Sequence, residues 1–317
     1  MNRRQLLESA VGLAVASSMR TPAAAVTSTS KLKIDAYSRH LQWLRTAEDV
    51  AKAAKEMGYD GVDVTVRPAP GHVDPARVAE ELPPFVKTIR EHELQVVTIT
   101  CPITGADSPH AEAILRTASE LDIRHYWWGT FRYDQSQPIA PQLDALKPRV
   151  AKLAALNAKY GVTAMYHTYA GSQLIGGAVW DFLSVLKEFD PTHVGFHYDI
   201  GHMTIAGGNG TWLTNLHAAA QYVRGVSVKD ALLERNDSGK WRVRWVPLGD
   251  GQVQLPEFAA ALKQMNFNGP IEIQAEYPNG GAESAQDHIT LPREQVLGAM
   301  KKDQEVLRAA LAKVELA

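Results

Sequence analysis

The sequence has a single cysteine, Cys101, among 317 residues. Neither a disulfide within the chain nor a Cys-rich zinc site can form, so any metal must be held by His, Asp and Glu. No apolar run reaches the roughly 18 residues that mark a spanning helix, which argues against membrane insertion. Charge of one sign is also missing, since 33 Lys and Arg against 35 Asp and Glu leave a net charge of −2. Without a cationic field, nucleic acid and anionic membrane surfaces are excluded as main partners. What is present is 45% apolar and 21% charged residues, a balance that supports one large core or two modest ones and speaks against disorder.

Met1 to Ala25 differs in composition from the rest: Arg3-Arg4, a mildly apolar stretch from Leu6 to Met19 interrupted by Glu8, then Thr21-Pro22-Ala23-Ala24-Ala25. That order reads as an export signal ending in a small-x-small cleavage site. The paired arginines before a weak apolar stretch resemble the twin-arginine type, although Asn2 stands where Ser or Thr is usual. An ordinary amphipathic helix is the alternative. The resemblance implies a periplasmic or secreted protein, exported already folded. Removing residues 1–25 leaves 30 basic and 34 acidic residues, a net charge of −4.

No low-complexity linker divides residues 32–317, which read as one domain. Short β-rich runs alternate with Ala/Leu/Lys-rich segments of helical period. The expected strands are Lys33–Tyr37, Gly61–Val66, Gln95–Thr100, His125–Trp128, Val162–His167, Val194–Tyr198, Gly225–Lys229 and Pro270–Glu276. The expected helices are Ala47–Met57, Val78–Glu91, His110–Leu121, Gln142–Tyr160, Trp180–Glu188, Thr214–Val223, Leu255–Met265 and a closing segment around Arg293–Leu316. Eight serial βα units point to a closed (β/α)8 TIM barrel. A doubly wound open sheet would need a phosphate-gripping glycine loop after the first strand, where the chain instead reads Ser38-Arg39-His40-Leu41-Gln42. Gly207-Gly208-Asn209-Gly210 reads as a flexible loop. The insertion Leu233–Gly251, after the seventh strand, carries Asn236-Asp237-Ser238-Gly239 and reads as a β-hairpin with Trp241–Val246 as its second arm.

Active sites of such barrels lie at the C-terminal ends of the strands. Residues placed there are Asp63, Arg67 and His72 after the second strand, and Tyr166-His167-Thr168-Tyr169 after the fifth. The sixth contributes His197, Asp199 and His202, the seventh Ser227, Lys229 and Asp230, and the eighth Glu272, Gln274 and Glu276. Alternation puts His197 with Asp199, Ser227 with Lys229, and Glu272 with Gln274 and Glu276 on common faces.

Four motifs follow one another along the chain: Tyr198-Asp199-Ile200-Gly201-His202, Ser227-Val228-Lys229-Asp230, Pro247-Leu248-Gly249-Asp250-Gly251 and Gly269-Pro270-Ile271-Glu272. In this order they resemble the sugar phosphate isomerase/epimerase family within the xylose isomerase-like TIM barrel superfamily, which also holds the family 2 apurinic endonucleases. The resemblance implies an isomerase, epimerase or lyase that abstracts a proton beside the carbonyl of a keto-sugar or 3-keto-glycoside. It also implies a divalent metal cation (Mn, Mg, Co or Zn), held in the family by Glu, Asp, His and Glu from strands five to eight. Asp199 matches that pattern. The other positions hold Tyr166 or His167, Ser227 and Gln274, while His202 matches the family's Asp-x-x-His motif. An alternative ligand set is His167, Asp199, His202 and Glu276.

Such chemistry needs a base within hydrogen-bond reach of the proton and a cation or donors for the resulting enolate. Glu276 is the candidate base, Asp199 with His202 the metal or oxyanion anchor, Lys229 the fixed positive charge and His167 a further catalytic candidate. Lys229 as a Schiff-base nucleophile is the less favoured alternative. Arg67, His72, Tyr169 and Gln274 are candidates for binding sugar hydroxyls, although Arg67 and His72 serve equally well as braces of a Pro-rich loop. His197 reads as a hydrogen-bonded core histidine, Glu272 as an outer or lower-barrel carboxylate and Trp180 as core. One of Trp127 and Trp128 must face into the barrel and the other away. The expected partner is a small neutral carbohydrate, since phosphorylated sugars are mainly cytoplasmic, and an oligomer is compatible with the sequence. Two other function classes remain open at this point: a carbohydrate-binding barrel whose metal site has decayed, and a metal-dependent hydrolase like the endonuclease branch.

Overall fold

The computed structural model describes residues 31–317; the export signal expected at Met1–Ala25 lies outside the described residues. Eight parallel strands close into a barrel: β1 (Ile34–Tyr37), β2 (Gly61–Thr65), β3 (Thr98–Thr100), β4 (His125–Trp128), β5 (Thr163–His167), β6 (Val194–Asp199), β7 (Val223–Val228) and, after a two-stranded hairpin of β8 (Asp230–Arg235) and β9 (Trp241–Val246), β10 (Ile271–Ile273). Around the ring β1 neighbours β2 and β10, and β7 lies between β6 and β10. The helices are α1 (Ala47–Met57), α2 (Val78–Glu91), α3 (Ala111–Glu120), α4 (Ile139–Tyr160), α5 (Trp180–Leu186), α6 (Ile200–Gly207), α7 (Trp212–Ala219), α8 (Leu255–Gln264) and α9 (Arg293–Ala312). This is the (β/α)8 barrel with a hairpin after the seventh strand that the sequence predicts. Among the described residues no helix is long and apolar enough to cross a membrane.

Local chemistry explains the elements. Thr46 caps α1 by accepting from the Asp49 backbone N–H at 3.1 Å, and Gly58, at φ 82°, closes it in the left-handed conformation that glycine adopts without a side-chain clash. Outward strand residues pack under the helices. Trp128 meets Phe131, Tyr166 and Phe182 edge-on, Tyr126 donates its hydroxyl to Asn157 on α4, and Tyr198 donates to the Trp212 carbonyl on α7. Trp127, one residue out of phase, faces inward toward His167, as strand alternation requires.

Four expectations need correction. The run beginning Ile200 is a helix, α6, with Gly208–Gly210 forming a 3-10 turn after it, rather than a loop from Gly207 to Gly210. The pattern Ile-Gly-His-Met-Thr-Ile-Ala-Gly has no polar face to betray a helix, because both sides of its first turns are buried. Trp180 is not core: it is 56% exposed and its indole N–H donates to Asn215. Only residues 98–100 and 271–273 of the third and last expected strands pair in the barrel, because Gln95 makes an isolated bridge to Gly61 and the backbone turns at Gln274–Glu276. Of the two readings of Glu272, outer or lower-barrel carboxylate, the outer one fails, since Glu272 is buried and accepts from Gln274 inside the barrel.

The barrel interior is polar where such barrels are usually filled by Val, Ile and Leu. Asp35, Asp63, Thr100, His197, Ser227 and Glu272 are all buried there. Asp35 shows the cost. Its Oδ1 accepts from Gln95 at 2.8 Å while Oδ2 has no partner, and burial pushes its carboxyl up to about 8 against the pull of Gln95. The folded protein therefore keeps a proton on Asp35 that the unfolded chain has released above pH ~4, so stability falls as pH rises through the window from about 4 to about 8. Asp35→Asn is neutral throughout. Its stability at pH ~8 should exceed that of the parent by an amount on the order of 5 kcal/mol, with little difference below pH ~4, as read from urea unfolding at both pH values.

Candidate active site

The polar stack ends at the C-terminal mouth in a cluster built on three neighbouring strands. Asp199 closes β6 and caps α6: its Oδ1 accepts from the His202 backbone N–H at 2.8 Å, which leaves Oδ2 directed into the barrel. Lys229 follows β7, and its side chain is 1% exposed. Its Nζ donates to Gln274 Oε1 at 2.9 Å and Glu276 Oε2 at 3.1 Å, and pairs with Asp199 Oδ2 at 3.1 Å. The Trp245 ring of β9 covers the ammonium, with its centroid 4.7 Å from Nζ. Gln274 is held in the orientation that offers its oxygen to Lys229, because its Nε2 donates to Glu272 Oε1 at 2.6 Å.

The imidazoles lie on the other side of Asp199. His167 Nε2 is 3.3 Å from Asp199 Oδ2, and His167 Nδ1 is 3.2 Å from His197 Nδ1. His202 is edge-on to Trp245, and Tyr169 packs against both His167 and His202. Arg67 lies 5.3 Å over the Trp127 ring, whose other neighbour is His167.

Burial and charge set the ionisation states. Burial alone would raise the Asp199 carboxyl, but Lys229, with help from the adjacent histidines, holds it well below the usual carboxylate range. Burial works against the Lys229 ammonium, yet Asp199 and Glu276 win and raise it. Glu276 is lowered in turn, Lys229 outweighing desolvation. Burial lowers His167 and His197, and pushes His202 down to about 3 with the Lys229 charge adding to it. The mouth thus holds neutral imidazoles, one ammonium and two carboxylates, of which Glu276 is 24% exposed and can meet a ligand. Beneath them burial raises Asp63 to about 6, and burial with the neighbouring Asp63 charge raises Glu272 well above its ordinary value.

Of the residues chosen from sequence, the structure brings together Glu276, Lys229, His167, Tyr169, Gln274, Asp199 and His202, with Arg67 beside Trp127. His72 is not among them. Its Nδ1 contacts Thr65 and Ser38, and its Nε2 lies near the Leu41 and Leu44 carbonyls. Both ring nitrogens are spent on bracing the loops after β1 and β2. Two residues were missed. Trp245 was seen only as part of a hairpin arm. His40, directly after β1, is fully buried with an unpartnered Nε2 and interacts electrostatically with Glu276; its position just past a strand's C-terminal end was the available signal.

His167, Asp199 and His202 offer three atoms within 4.8 Å of one another, a set that Glu276 does not join. His167 Nε2, Asp199 Oδ2 and both His202 ring nitrogens are buried without a hydrogen-bond partner, as metal ligands would be. Charge decides against it. An ion bonded to Asp199 Oδ2 at ~2.1 Å would lie within about 5 Å of the Lys229 ammonium, where repulsion at an effective dielectric of 20 is on the order of 7 kcal/mol. That offsets what a second carboxylate at the same range would contribute, and the remaining donors are neutral imidazoles. With Lys229 in place, the set does not fit a divalent cation.

The family described as xylose isomerase-like TIM barrel matches residues 51–308. Among solved structures, the apo form of 3-keto-D-glucoside 4-epimerase, YcjR, from E. coli aligns with a TM-score of 0.62 at 15% identity, covering 87% of this chain and 100% of that chain. D-psicose 3-epimerase with D-tagatose from Clostridium cellulolyticum H10 aligns with a TM-score of 0.63 at 12% identity, covering 88% and 99%. The zinc-bound IolI protein gives 0.64 at 12% identity, covering 89% and 99%. At these identities the likeness is one of fold. No curated protein matches the sequence.

Proposed function

The chain belongs to the xylose isomerase-like TIM barrel family, and from that premise we propose that it is an exported isomerase or epimerase of neutral keto-sugars that works by proton transfer beside the carbonyl. One observation carries the reading: a partly exposed carboxylate, Glu276, sits 3.1 Å from a buried ammonium, Lys229, at the catalytic end of the barrel. A base and an electrophile in contact are what enolisation requires. The epimerase neighbours, which act on keto-glucosides and ketoses by their names, support the substrate class. No step is derived through a metal, because the donor set does not fit one.

Lys229 already donates to Gln274 and Glu276 and pairs with Asp199, so an incoming carbonyl oxygen takes its place in this nest by displacing an acceptor. Glu276 is the one that solvent reaches. Once displaced it loses the charge that lowers its pKa and becomes a stronger base. It then takes the proton from the carbon next to the carbonyl. The C–H electron pair forms the C=C bond of an enolate whose oxygen charge Lys229 holds. Return of a proton to the same carbon from the opposite face inverts it, and return at the former carbonyl carbon, with transfer of the hydroxyl proton, gives the isomer. Arg67, Trp127 and Tyr169 line the approach and supply stacking surface and donors for sugar hydroxyls.

Incubating the purified protein with neutral ketoses and 3-keto-glucosides in deuterated water tests this. Deuterium should enter at the carbon beside the carbonyl, as read by NMR, whichever product forms. Sugar binding without any exchange would replace the enzyme reading with that of a carbohydrate-binding barrel.

A further inference from the structure

We propose that the Lys229 ammonium is a built-in cation standing in for a divalent ion, so that this barrel takes up a metal only when that side chain is removed. Its catalytic meaning rests on the keto-sugar reading above; the cation replacement itself does not.

The nest around Nζ is constructed as a cation site. Its oxygens come from Asp199 on β6 and from Gln274 and Glu276 after β10, the two strands that flank β7. Two carboxylates and an amide oxygen make a hard-oxygen donor set of the kind that suits a divalent ion as well as it suits an ammonium. The ammonium donates to Gln274 and Glu276 and pairs with Asp199 Oδ2, so three oxygens surround it within 3.1 Å. The Trp245 ring closes the remaining side, a position suited to a cation.

The surrounding chain is shaped for a lysine at this position. A Cβ added at Gly201 would lie 2.7 Å from Lys229 Cγ and 2.6 Å from its carbonyl oxygen. Glycine is what lets the first turn of α6 lie against the lysine stem while Asp199 caps that same turn. The acceptors are also fixed by other bonds. Asp199 spends Oδ1 on the cap and Gln274 spends Nε2 on Glu272, which leaves each with one oxygen directed at Nζ. His167 and His202 stand beyond Asp199 with unpartnered nitrogens, ready to add ligands once the positive charge is gone.

Cobalt(II) titration of the whole mature protein, followed by its visible absorption, together with elemental analysis, tests the inference without any substrate. The parent should be isolated without a stoichiometric divalent metal and show no coordinated-cobalt spectrum. Lys229→Ala should bind one cobalt per chain at least about 100-fold more tightly than the parent, because a repelling charge is removed and two carboxylates are freed. Lys229→Gln, which preserves side-chain bulk, should gain affinity in the same direction. A parent protein carrying one tightly held divalent ion per chain would overturn the proposal, and so would folded Lys229 variants with no gain in affinity. If neither variant folds, the parent titration decides alone. Absence of deuterium exchange in the parent would instead sink the keto-sugar reading and leave this result standing.

Discussion

Lys229→Met should lower the stability of the barrel by about 3–5 kcal/mol, the range for breaking a buried ion pair by removing one partner. Lys229 is 1% exposed and Asp199 is fully buried, so solvent cannot replace the lost charge at Asp199. Methionine fills most of the lysine volume, which keeps the cavity contribution small and leaves the unpaired carboxylate as the main loss. Glu276, 24% exposed, can regain water. The cost therefore concentrates on Asp199, and Lys229→Met combined with Asp199→Asn should be more stable than Lys229→Met alone. Asparagine caps a helix as well as aspartate does, so the cap of α6 survives the change. Denaturant unfolding of the parent, both single variants and the double variant measures the coupling. Equal stability of Lys229→Met and the parent would show that the cluster holds little electrostatic energy.

Glu276→Gln should lower deuterium exchange at the carbon beside the sugar carbonyl by about 10³-fold, the middle of the range for a general base. The amide is isosteric and can still accept from Lys229, so the fold should be kept while turnover collapses. The acid side of the parent's kcat/KM profile checks the assignment independently. A base works only when deprotonated, so activity is present above the pKa of Glu276 and lost as pH falls through it. Because Lys229 holds Glu276 below its ordinary value, that loss should fall below the usual glutamate value of about 4.3. A Glu276→Gln variant retaining the parent's exchange rate would remove Glu276 as the base and shift attention to His40 and His167, the neighbouring imidazoles.

The two predictions converge on one contact, the Lys229–Glu276 pair. On the proposed reaction it is a resting state in which the electrophile shields the base. A substrate carbonyl would exchange for the carboxylate at Nζ, and the energy of that ion pair would then set part of the binding cost.

Much of this was legible along the chain. The alternation of β-rich and helical segments gives eight units, and the ends of α1 and α2 fall at the expected residues Ala47, Met57, Val78 and Glu91. These helices are amphipathic, and α1 is bounded by a Thr cap and a Gly stop, so local chemistry suffices. Strand alternation predicts Gln274 and Glu276 on one face; the strand ends at Ile273, and it is the turn after it that brings both to Lys229. Where burial is not one-sided, the pattern failed. α6 lacks an amphipathic face and was missed, while Trp180, an apolar residue at the start of α5, is held on the surface by its bond to Asn215. His72 carries the chemistry of a ligand in its sequence, and only its contacts with loops 28 to 34 residues away show it to be a brace.

The sequence by itself determined the order of the βα units, and with it the side chains that arrive at the catalytic rim, since strand period and helix caps are local properties. It also determined that the site is made of oxygen, imidazole and ammonium rather than sulfur. Only the tertiary structure decided which of these groups meet. Closing the barrel sets β7 between β6 and β10, and brings Gln274 and Glu276, 45 and 47 residues further along, onto the Lys229 nitrogen. Whether a cationic centre is a metal or an ammonium depends on distances of about 3 Å between charges on different strands, where Coulomb energies change most steeply, and sequence spacing carries no information on that scale.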